Sequence, residues 1–184
     1  RGCHYDDFDN FQDWFHCNNG WIKLSVVSNG NGEDGKIKFK PREFLKHSPD
    51  MLSRRASAVS YDVKAECPNY DKMMVDFDLK DDQVRVIDQF SGLLLTNEIK
   101  HQKMLVFIGK PGCGKSTIAE TWSEVLGDMS EQKALTDLTS DKARFMGKSL
   151  VGKTFLHLEE ADVKRSEMGT TLGSLVTGGE ISVE

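Results

Sequence analysis

Residues 106–117, which read VFIGKPGCGKST, have the residue types and spacing of a phosphate-binding loop. The order Gly-x-x-x-x-Gly-Lys-[Ser/Thr] is complete, and it lies between a short apolar run and a helical pattern. Glycines at Gly109, Gly112 and Gly114 let backbone N–H groups curl toward phosphate oxygens, where a Cβ would clash. The positive end of the following helix adds to the attraction. The sequence therefore predicts a nucleoside triphosphate site, with ATP as its nucleotide.

Every residue of this loop is assigned to the nucleotide. Lys115 is expected to reach the β- and γ-phosphates, and the Ser116 hydroxyl is expected to ligate Mg²⁺. Pro111 stiffens the loop where no backbone donor is required. The full predicted set is Gly109, Lys110, Pro111, Gly112, Cys113, Gly114, Lys115, Ser116 and Thr117.

Two adjacent glutamates supply the acidic partner that a phosphate loop needs at the end of a neighbouring strand. Glu159 and Glu160 directly follow the apolar strand pattern TFLHL. We assign Glu159 to Mg²⁺ and Glu160 to the water that attacks the phosphate. Asp162 is the reserve candidate, and His157, inside the strand, is predicted to be packed. The structural alternative is a pair of surface glutamates that begins a helix.

Hydrolysis also needs a sensor for the γ-phosphate and an arginine that neutralises charge in the transition state. That arginine contributes about 10³–10⁵ in rate. Arg144 and Arg165 are the only arginines after Lys115, and no motif supports either of them. The sequence thus predicts ATP binding more strongly than ATP hydrolysis by this chain alone.

Strand and helix patterns alternate around the loop. They predict strands over 103–108, 133–138, 153–158 and 180–184, with helices over 116–126, 141–146 and 166–176. Gly127 ends the first of these helices, and Ser140 caps the second. This order predicts an α/β fold over 99–184, a P-loop NTPase (AAA+-like) parallel sheet with helices on both faces. We expect this core to be incomplete at its C-terminal end.

Residues 1–98 are predicted to form a smaller α+β segment that precedes the core. Its patterns indicate a short amphipathic helix over 6–16, a turn at 18–20, and strands over 21–27 and 36–40 with a loop over 29–35 between them. One turn over 41–45 and a strand over 54–61 follow. Two helices complete the segment, one over 70–77 with Pro68 in its first turn and one over 80–97 with an apolar stripe.

Composition places the chain among ordinary globular proteins: of 184 residues, 38% are hydrophobic and 29% charged. No apolar run approaches the roughly 20 residues of a membrane helix, and no signal peptide is visible, so we expect no membrane partner. The four cysteines form no C-x-x-C pair, which favours reduced thiols in an intracellular compartment. Because the chain begins with Arg1, we expect it to be a piece of a longer protein.

Charge and metal-binding residues leave two further questions open. The net charge is −5, but residues 36–64 hold eight basic residues against three acidic ones, either a path for a phosphate backbone or a solvated face. Cys3-His4 and His16-Cys17 form a mirrored pair of the types that ligate zinc. Their spacing matches no common zinc finger, so whether they bind metal stays open.

Four stretches of the chain resemble the superfamily 3 helicases of viruses, phages and plasmids, in the branch where a primase is fused to a helicase. NNGWIKL resembles a strand before the helicase core, and HSPDMLSRRASAVSYDVKAECPNY resembles the His-x-Pro, Tyr-Asp and Cys-Pro signature of the same segment. GKPGCGKST is similar to the phosphate loop of that family. KSLVGKTFLHLEEAD, followed by LGSLVTGGEISVE, resembles its second acidic motif and the segment toward the DNA-contacting hairpin.

This resemblance spans about residues 18–184 and implies an ATP-driven, hexameric 3′-to-5′ translocase on single-stranded or forked DNA, active in replication inside a bacterial or virus-infected cell. Sites at subunit boundaries would receive the missing arginine from a neighbour. The hairpin residue, the Asn sensor and the arginine finger are expected beyond residue 184, and a primase domain is expected upstream of Arg1.

Two other functions stay open. Small-molecule kinases also begin with a strand, a phosphate loop and a helix, although they place that loop near the N-terminus and carry an Arg-rich lid. The second alternative is a non-catalytic NTP-binding module that serves assembly. Stimulation of ATP hydrolysis by DNA, phosphate transfer to a nucleoside, and binding without turnover distinguish the three.

Overall fold

The computed structural model describes residues 8–9, 13–24, 28–31, 37–39, 43–96, 101–134, 137, 149–159 and 176. The chain divides into two compact units, Arg1–Thr96 and Asn97–Glu184. Together they make a mixed α/β protein of helices and small sheets. Among the helices of the described residues, none has the length and apolar character needed to cross a membrane.

Five strands of the first unit form two antiparallel sheets. β1 (Trp14–Cys17), β2 (Gly20–Lys23) and β5 (Phe44–Leu45) lie in the order β1-β2-β5, and β3 (Ser28–Asn31) pairs with β4 (Ile37–Phe39). A turn at 18–19 joins β1 to β2, as predicted. Phe15, Cys17, Trp21 and Ile22 are buried, so the β1-β2 hairpin contributes apolar side chains from both of its strands to the core.

The predicted helix over 6–16 is wrong in its last residues, because Trp14–Cys17 is strand β1. The aromatic residues at helical spacing suggested one apolar face. In the structure, Phe15 and Cys17 alternate with Trp14 and His16, and the two buried side chains share one face of the sheet. Pairing with β2 determines the local structure here, and tertiary context overrides the helical pattern.

Three further predictions for the first unit differ from the structure. The turn predicted over 41–45 contains strand β5, and the loop predicted over 29–35 begins with strand β3. The strand predicted over 54–61 has no regular secondary structure. This segment still runs beside the hairpin, since Ser57 N–H donates to the His16 carbonyl at 2.8 Å and Asn18 N–H donates to the Val59 carbonyl at 2.9 Å.

The two helices of the first unit confirm their predictions. α1 spans Pro68–Asp76 with proline in its first turn, and α2 spans Asp81–Leu94. Ile87 and Leu94 of the predicted apolar stripe are buried. Tyr70 Oη donates to Asp88 at 2.9 Å, which ties α1 to α2.

The second unit has one long helix and one parallel strand pair among its described residues. α3 spans Lys115–Leu126, and a single 3₁₀ turn, Gly127–Met129, leads into β6 (Ser130–Ala134). β6 pairs in parallel with β7 (Phe155–Glu159). Helix α3 and its stop at Gly127 confirm the prediction, and so does the strand that ends at the glutamates. β6 begins three residues earlier than the strand predicted over 133–138.

The strand predicted over 103–108 is wrong, because residues 102–110 have no regular secondary structure. Met104 is 52% exposed and Ile108 is 94% exposed. A buried strand in a parallel sheet needs partners for its backbone groups. Within the described residues, β6 and β7 pair only with each other. Within this apolar run, Phe107 contacts α3, since the centroid of its ring lies 6.0 Å from that of Trp122.

Several predictions fall outside the described residues. They are the helix over 141–146, most of the helix over 166–176, and the strand over 180–184. The same holds for Glu160, Asp162, Arg144, Arg165, Cys3 and His4.

Candidate functional site

Two glycines of the loop at 109–114 have left-handed backbone conformations. Gly112 has φ +78° and Gly114 has φ +86°, in the left-handed region that side chains disfavour. Gly114 is the N-cap of α3, so the loop turns directly into the helix. A Cβ at Gly109 would come within 2.8 Å of Cys113 Sγ, which shows how closely the loop curls on itself.

The ammonium of Lys115 lies inside this curl. Its Nζ donates to the carbonyls of Gly109 at 2.9 Å and Lys110 at 2.8 Å, and it is 3.6 Å from Cys113 Sγ. The lysine is the first residue of α3, so helix and loop position it together. A positive charge at the N-terminal end of a helix interacts unfavourably with the helix dipole, and the two loop carbonyls offset this cost. Lys115 thus places a positive charge within the loop at the start of α3.

Most of the other predicted loop residues are exposed to solvent. Lys110, Pro111, Cys113, Ser116 and Thr117 are exposed. The first N–H groups of any helix have no intrahelical partner, and here they belong to residues at the exposed start of α3. Solvent therefore reaches the loop residues and the first residues of α3, including the residue that carries the Ser116 hydroxyl.

Glu159 is the last residue of β7, and its side chain is exposed. Gln132 Nε2 of the neighbouring strand β6 donates to Glu159 Oε1 at 2.6 Å. Sequence reasoning missed Gln132. No local pattern signals this contact, because it depends on the register of β6 against β7, which places Gln132 opposite His157 and two residues before Glu159. Glu160, the other predicted acid, lies outside the described residues.

His157 is packed, as predicted. Its ring stacks parallel to that of Phe155, with centroids 6.3 Å apart. Its Nδ1 atom is buried and has no hydrogen-bond partner in the described part of the chain. Successive side chains of a strand point to opposite faces, so one face of β7 carries Phe155, His157 and Glu159.

One buried tryptophan connects the loop helix to the acidic strand. Trp122 of α3 meets Phe155, the first residue of β7, edge to face with ring centroids 5.8 Å apart. On another side it contacts Phe107, just before the loop. Thr154 N–H also donates to the Met129 carbonyl at 2.8 Å, which fixes the start of β7 next to the end of α3. The segment before the loop, the helix after it and the strand that ends in Glu159 thus share one apolar core.

Part of the basic run over 36–64 is used within the first unit. Arg54 and Arg55 both pair with Asp9, at 2.9 Å and 3.6 Å. The carboxylate of Asp9 also accepts from Ser53 Oγ at 2.9 Å. These two guanidinium groups are therefore committed to a carboxylate.

Only half of the mirrored Cys-His pair can be described, because Cys3 and His4 lie outside the described residues. Cys17 is buried, and burial raises the pKa of its thiol to about 11. Among the described residues, no group of three or more His, Cys, Asp or Glu side chains is placed to hold a metal.

Two of the stretches that carry the helicase resemblance lie together in the first unit. The side chain of Asn19 forms two hydrogen bonds with the backbone of Tyr61, accepting from its N–H at 2.8 Å and donating to its carbonyl at 2.9 Å. Asn19 belongs to NNGWIKL, and Tyr61 belongs to the Tyr-Asp signature. The motifs are 42 residues apart in sequence and form one local structure.

A family model described as a family of unknown function (DUF5906) matches residues 107–184. The match begins at Phe107, includes the phosphate loop and α3, and continues through β6 and β7. No curated protein matches the chain.

Proposed function

We propose that this chain is the nucleotide-binding part of a P-loop NTPase of the AAA+-like type. The observation that carries the proposal is the loop before α3. Gly112 and Gly114 have left-handed backbone conformations there, and the Lys115 ammonium donates to two carbonyls of the same loop. A triphosphate brings phosphate oxygens that accept from Lys115 and from the backbone donors of Gly109–Thr117. Ser116 is exposed next to that position and would ligate Mg²⁺.

In the same proposal, Glu159 at the end of β7 and Glu160, which follows it in sequence, complete an NTP hydrolase. Glu159 lies on the Mg²⁺ side, and Glu160 orients or deprotonates the attacking water. The bond from Gln132 supports the first role, because it restrains the Glu159 carboxylate through one oxygen, as outer groups that orient metal ligands do. The Trp122–Phe155 contact supports a shared site, since it places α3 and β7 in one core.

The more specific proposal is an ATP-dependent DNA helicase or translocase module of a replication protein. Its support is the resemblance of the four sequence stretches to superfamily 3 helicases, together with the Asn19–Tyr61 pairing of two of them. In this view the working form is a homohexamer inside the cell. Single-stranded or forked DNA passes through the ring, a neighbour supplies the arginine, and a primase domain belongs to the same polypeptide.

The test measures ATP binding to this chain by calorimetry, then ATP hydrolysis by the full-length protein with and without single-stranded DNA. We expect Mg²⁺-dependent binding, hydrolysis stimulated by DNA, and unwinding of a forked duplex. Glu160→Gln is expected to keep ATP binding and to remove hydrolysis.

Each alternative gives a different result. Phosphate transfer to a nucleoside identifies a kinase. Binding without turnover in the full-length protein identifies an assembly module. No binding of ATP to the native chain overturns the nucleotide site itself.

A further inference from the structure

Two histidines of the first unit form a hydrogen-bonded pair beside the β1-β2 turn. His16 lies on β1, and His47 follows β5 by two residues. His16 Nε2 and His47 Nδ1 are 3.3 Å apart, which is a hydrogen-bond distance. The two ring planes meet at 75°, so the rings contact each other edge to face.

The other nitrogen of each ring contacts a backbone carbonyl. His16 Nδ1 lies 2.6 Å from the Arg55 carbonyl oxygen, and His47 Nε2 lies 3.0 Å from the Asn18 carbonyl oxygen. A carbonyl oxygen only accepts, so each of these two nitrogens donates a hydrogen. Because a neutral imidazole has a single N–H, two neutral rings would have no hydrogen left for the contact between His16 and His47.

Three hydrogens complete this pair, and the third makes it a cation. With two hydrogens, lone pairs would face each other across the 3.3 Å contact, and with four hydrogens two N–H groups would do so. With three, one ring is an imidazolium that donates from both nitrogens, and the other ring is a neutral imidazole that donates once and accepts once. All four ring nitrogens then have partners among the described residues.

Burial decides which of the two rings carries the charge. His16 is half-buried and stacks on Trp21 with ring centroids 4.1 Å apart, whereas His47 is exposed to water. Burial disfavours a charged imidazole. It lowers the pKa of His16, as does the charge of His47, and the Arg55 carbonyl and Asp9 act in the opposite direction. His16 is therefore the neutral ring and His47 the imidazolium.

The charged groups beside the pair are consistent with this assignment. Asp9 is the acid that favours a proton on His16, but its carboxylate already forms ion pairs with Arg54 at 2.9 Å and Arg55 at 3.6 Å. The ring nitrogens of His47 contact only His16 and the uncharged backbone of residue 18. The charge of His47 is thus balanced by hydrogen bonds and by water.

We propose that His16 and His47 form a singly charged pair, a proton-dependent contact that is complete only when His47 is protonated. This contact joins β1 and the turn after it to the segments around residues 47 and 55. It connects two stretches of the helicase resemblance, because Asn18 belongs to NNGWIKL and His47 begins HSPDMLSRRASAVSYDVKAECPNY. The pair lies in the first unit and does not depend on the nucleotide site.

The proposal determines the direction of a pH effect. The third hydrogen forms its bond only in the folded chain, so folding binds a proton at this pair. The resulting stability is present below the ordinary histidine pKa of about 6.5 and is lost as the pH rises above it. His16 acts in the opposite sense, because its lowered pKa gives stability that is present above about 6.5 and is lost as the pH falls. Removal of His47 separates the two effects, since His16 remains in both proteins.

The first experiment measures urea denaturation of the native chain and of His47→Ala at pH 6 and pH 8. We expect the unfolding constant of the variant to exceed that of the native chain about tenfold at pH 6, as for hydrogen bonds to charged groups, and by a smaller factor at pH 8. His101→Ala, at an exposed histidine of the second unit, is the matched control and should give the same ratio at both pH values. For His47→Ala, a ratio that is equal at both pH values, or larger at pH 8, would overturn the proposal.

A second measurement needs no variant and stands if His47→Ala fails to fold. Nitrogen-15 NMR of the imidazole rings reads the charge and the hydrogen positions of each histidine in the native chain. At pH 6 we expect a neutral His16 with its hydrogen on Nδ1, together with a charged His47. A charged His16, a neutral His47, or a neutral His16 with its hydrogen on Nε2 would contradict the pair.

Discussion

The side-chain amide of Gln132 donates to the carboxylate of Glu159 at 2.6 Å, from one strand of a parallel pair to the next. The register places Gln132 opposite His157, two residues before Glu159, so the bond reaches forward along the sheet. An exposed glutamate at a strand end would otherwise sample several rotamers. The bond thus orients an acid that the proposed function assigns to Mg²⁺.

Removal of this amide should weaken catalysis without abolishing it. Gln132→Ala is expected to lower the rate of ATP hydrolysis by about tenfold, as for other groups that orient a metal ligand. Because the effect acts through Mg²⁺, the Mg²⁺ concentration at half-maximal rate should rise, while ATP affinity without metal stays the same. The rate is measured in the full-length protein over a magnesium titration. An unchanged magnesium dependence would remove Gln132 from the site.

Lys115 carries the most direct prediction for the loop. Lys115→Ala removes the ammonium that Gly109 and Lys110 hold, and calorimetry should detect no ATP binding. Lys103→Ala is the matched control, because it removes an exposed lysine outside the loop and should bind ATP normally. Retained affinity in Lys115→Ala would refute the assignment of the phosphate site.

Cysteine reactivity tests the loop without any substitution. Cys113 and Cys67 are both exposed, and Cys113 belongs to the loop, whereas Cys17 is buried with its thiol pKa raised to about 11 by burial. Iodoacetamide should therefore modify Cys67 and Cys113 quickly and Cys17 slowly. Mg²⁺ and ATP should protect Cys113 and leave Cys67 unchanged, as read by peptide mapping. Equal modification of Cys113 with and without nucleotide would count against binding at the loop.

The sequence predicted elements well where local signals agreed with long-range packing. α3 begins at a glycine loop and ends at Gly127, and α2 has its apolar stripe against the core, so pattern and structure coincide. The strand predicted over 153–158 also agrees with β7, because its apolar residues are followed directly by a charged glutamate. These signals lie within a few residues of the elements they define.

Other features depended on partners far away in sequence. The aromatic spacing around Trp14 predicted a helix, but this segment pairs with β2 and is a strand. Strand β5 has only two residues, and both pair with the edge of β2. The run at 103–108 is apolar enough for a strand, yet Phe107 packs on Trp122 while Ile108 faces solvent. In the candidate site, the loop motif predicted Lys115, whereas the contact of Gln132 with Glu159 follows from the register of β6 against β7, which no local pattern contains.

Gly20 illustrates a position where the backbone leaves no room for a side chain. Its φ is +153°, and an added Cβ would overlap the Leu45 carbonyl and come within 2.7 Å of the Phe44 ring. Gly20→Ala should lower the free energy of unfolding by at least about 1–3 kcal/mol, the typical cost of such backbone strain. Urea denaturation followed by circular dichroism measures the change.

Gly92 provides the opposite control in the same unit. It lies inside α2, and a Cβ there would meet no atom within 4 Å. Gly92→Ala should raise the free energy of unfolding by about 0.4–1 kcal/mol, because alanine loses less backbone entropy on folding. If both substitutions had the same effect, the close approach of β5 to Gly20 would not be the cause.

Asp9 should make the first unit sensitive to acid. Its side chain is only 9% exposed. Burial alone raises the pKa of this carboxyl, but hydrogen bonds from Arg54 N–H and Ser53, with the charges of Arg55 and Arg54, outweigh burial and lower the pKa below its ordinary 3.8. A lowered pKa in the folded state means that the carboxylate stabilises the fold above pH 3.8, and that this contribution is lost as the pH falls through the folded value.

Asp9→Asn therefore has two expected effects. At pH 7 it should cost about 1.5–3 kcal/mol, as for other hydrogen bonds to charged groups. Below pH 3.8 the difference from the native chain should shrink, because Asp9 of the unfolded native chain then binds a proton, and the folded state binds one at its lower pKa. Glu43→Gln is the matched control, since the Lys23–Glu43 pair is exposed and its loss should cost less than about 1 kcal/mol at any pH. Urea denaturation of the three proteins at pH 7, 5 and 3 measures the effect, and a difference that stays constant across this range would show that the Asp9 carboxylate is not held by Arg54 and Arg55 in solution.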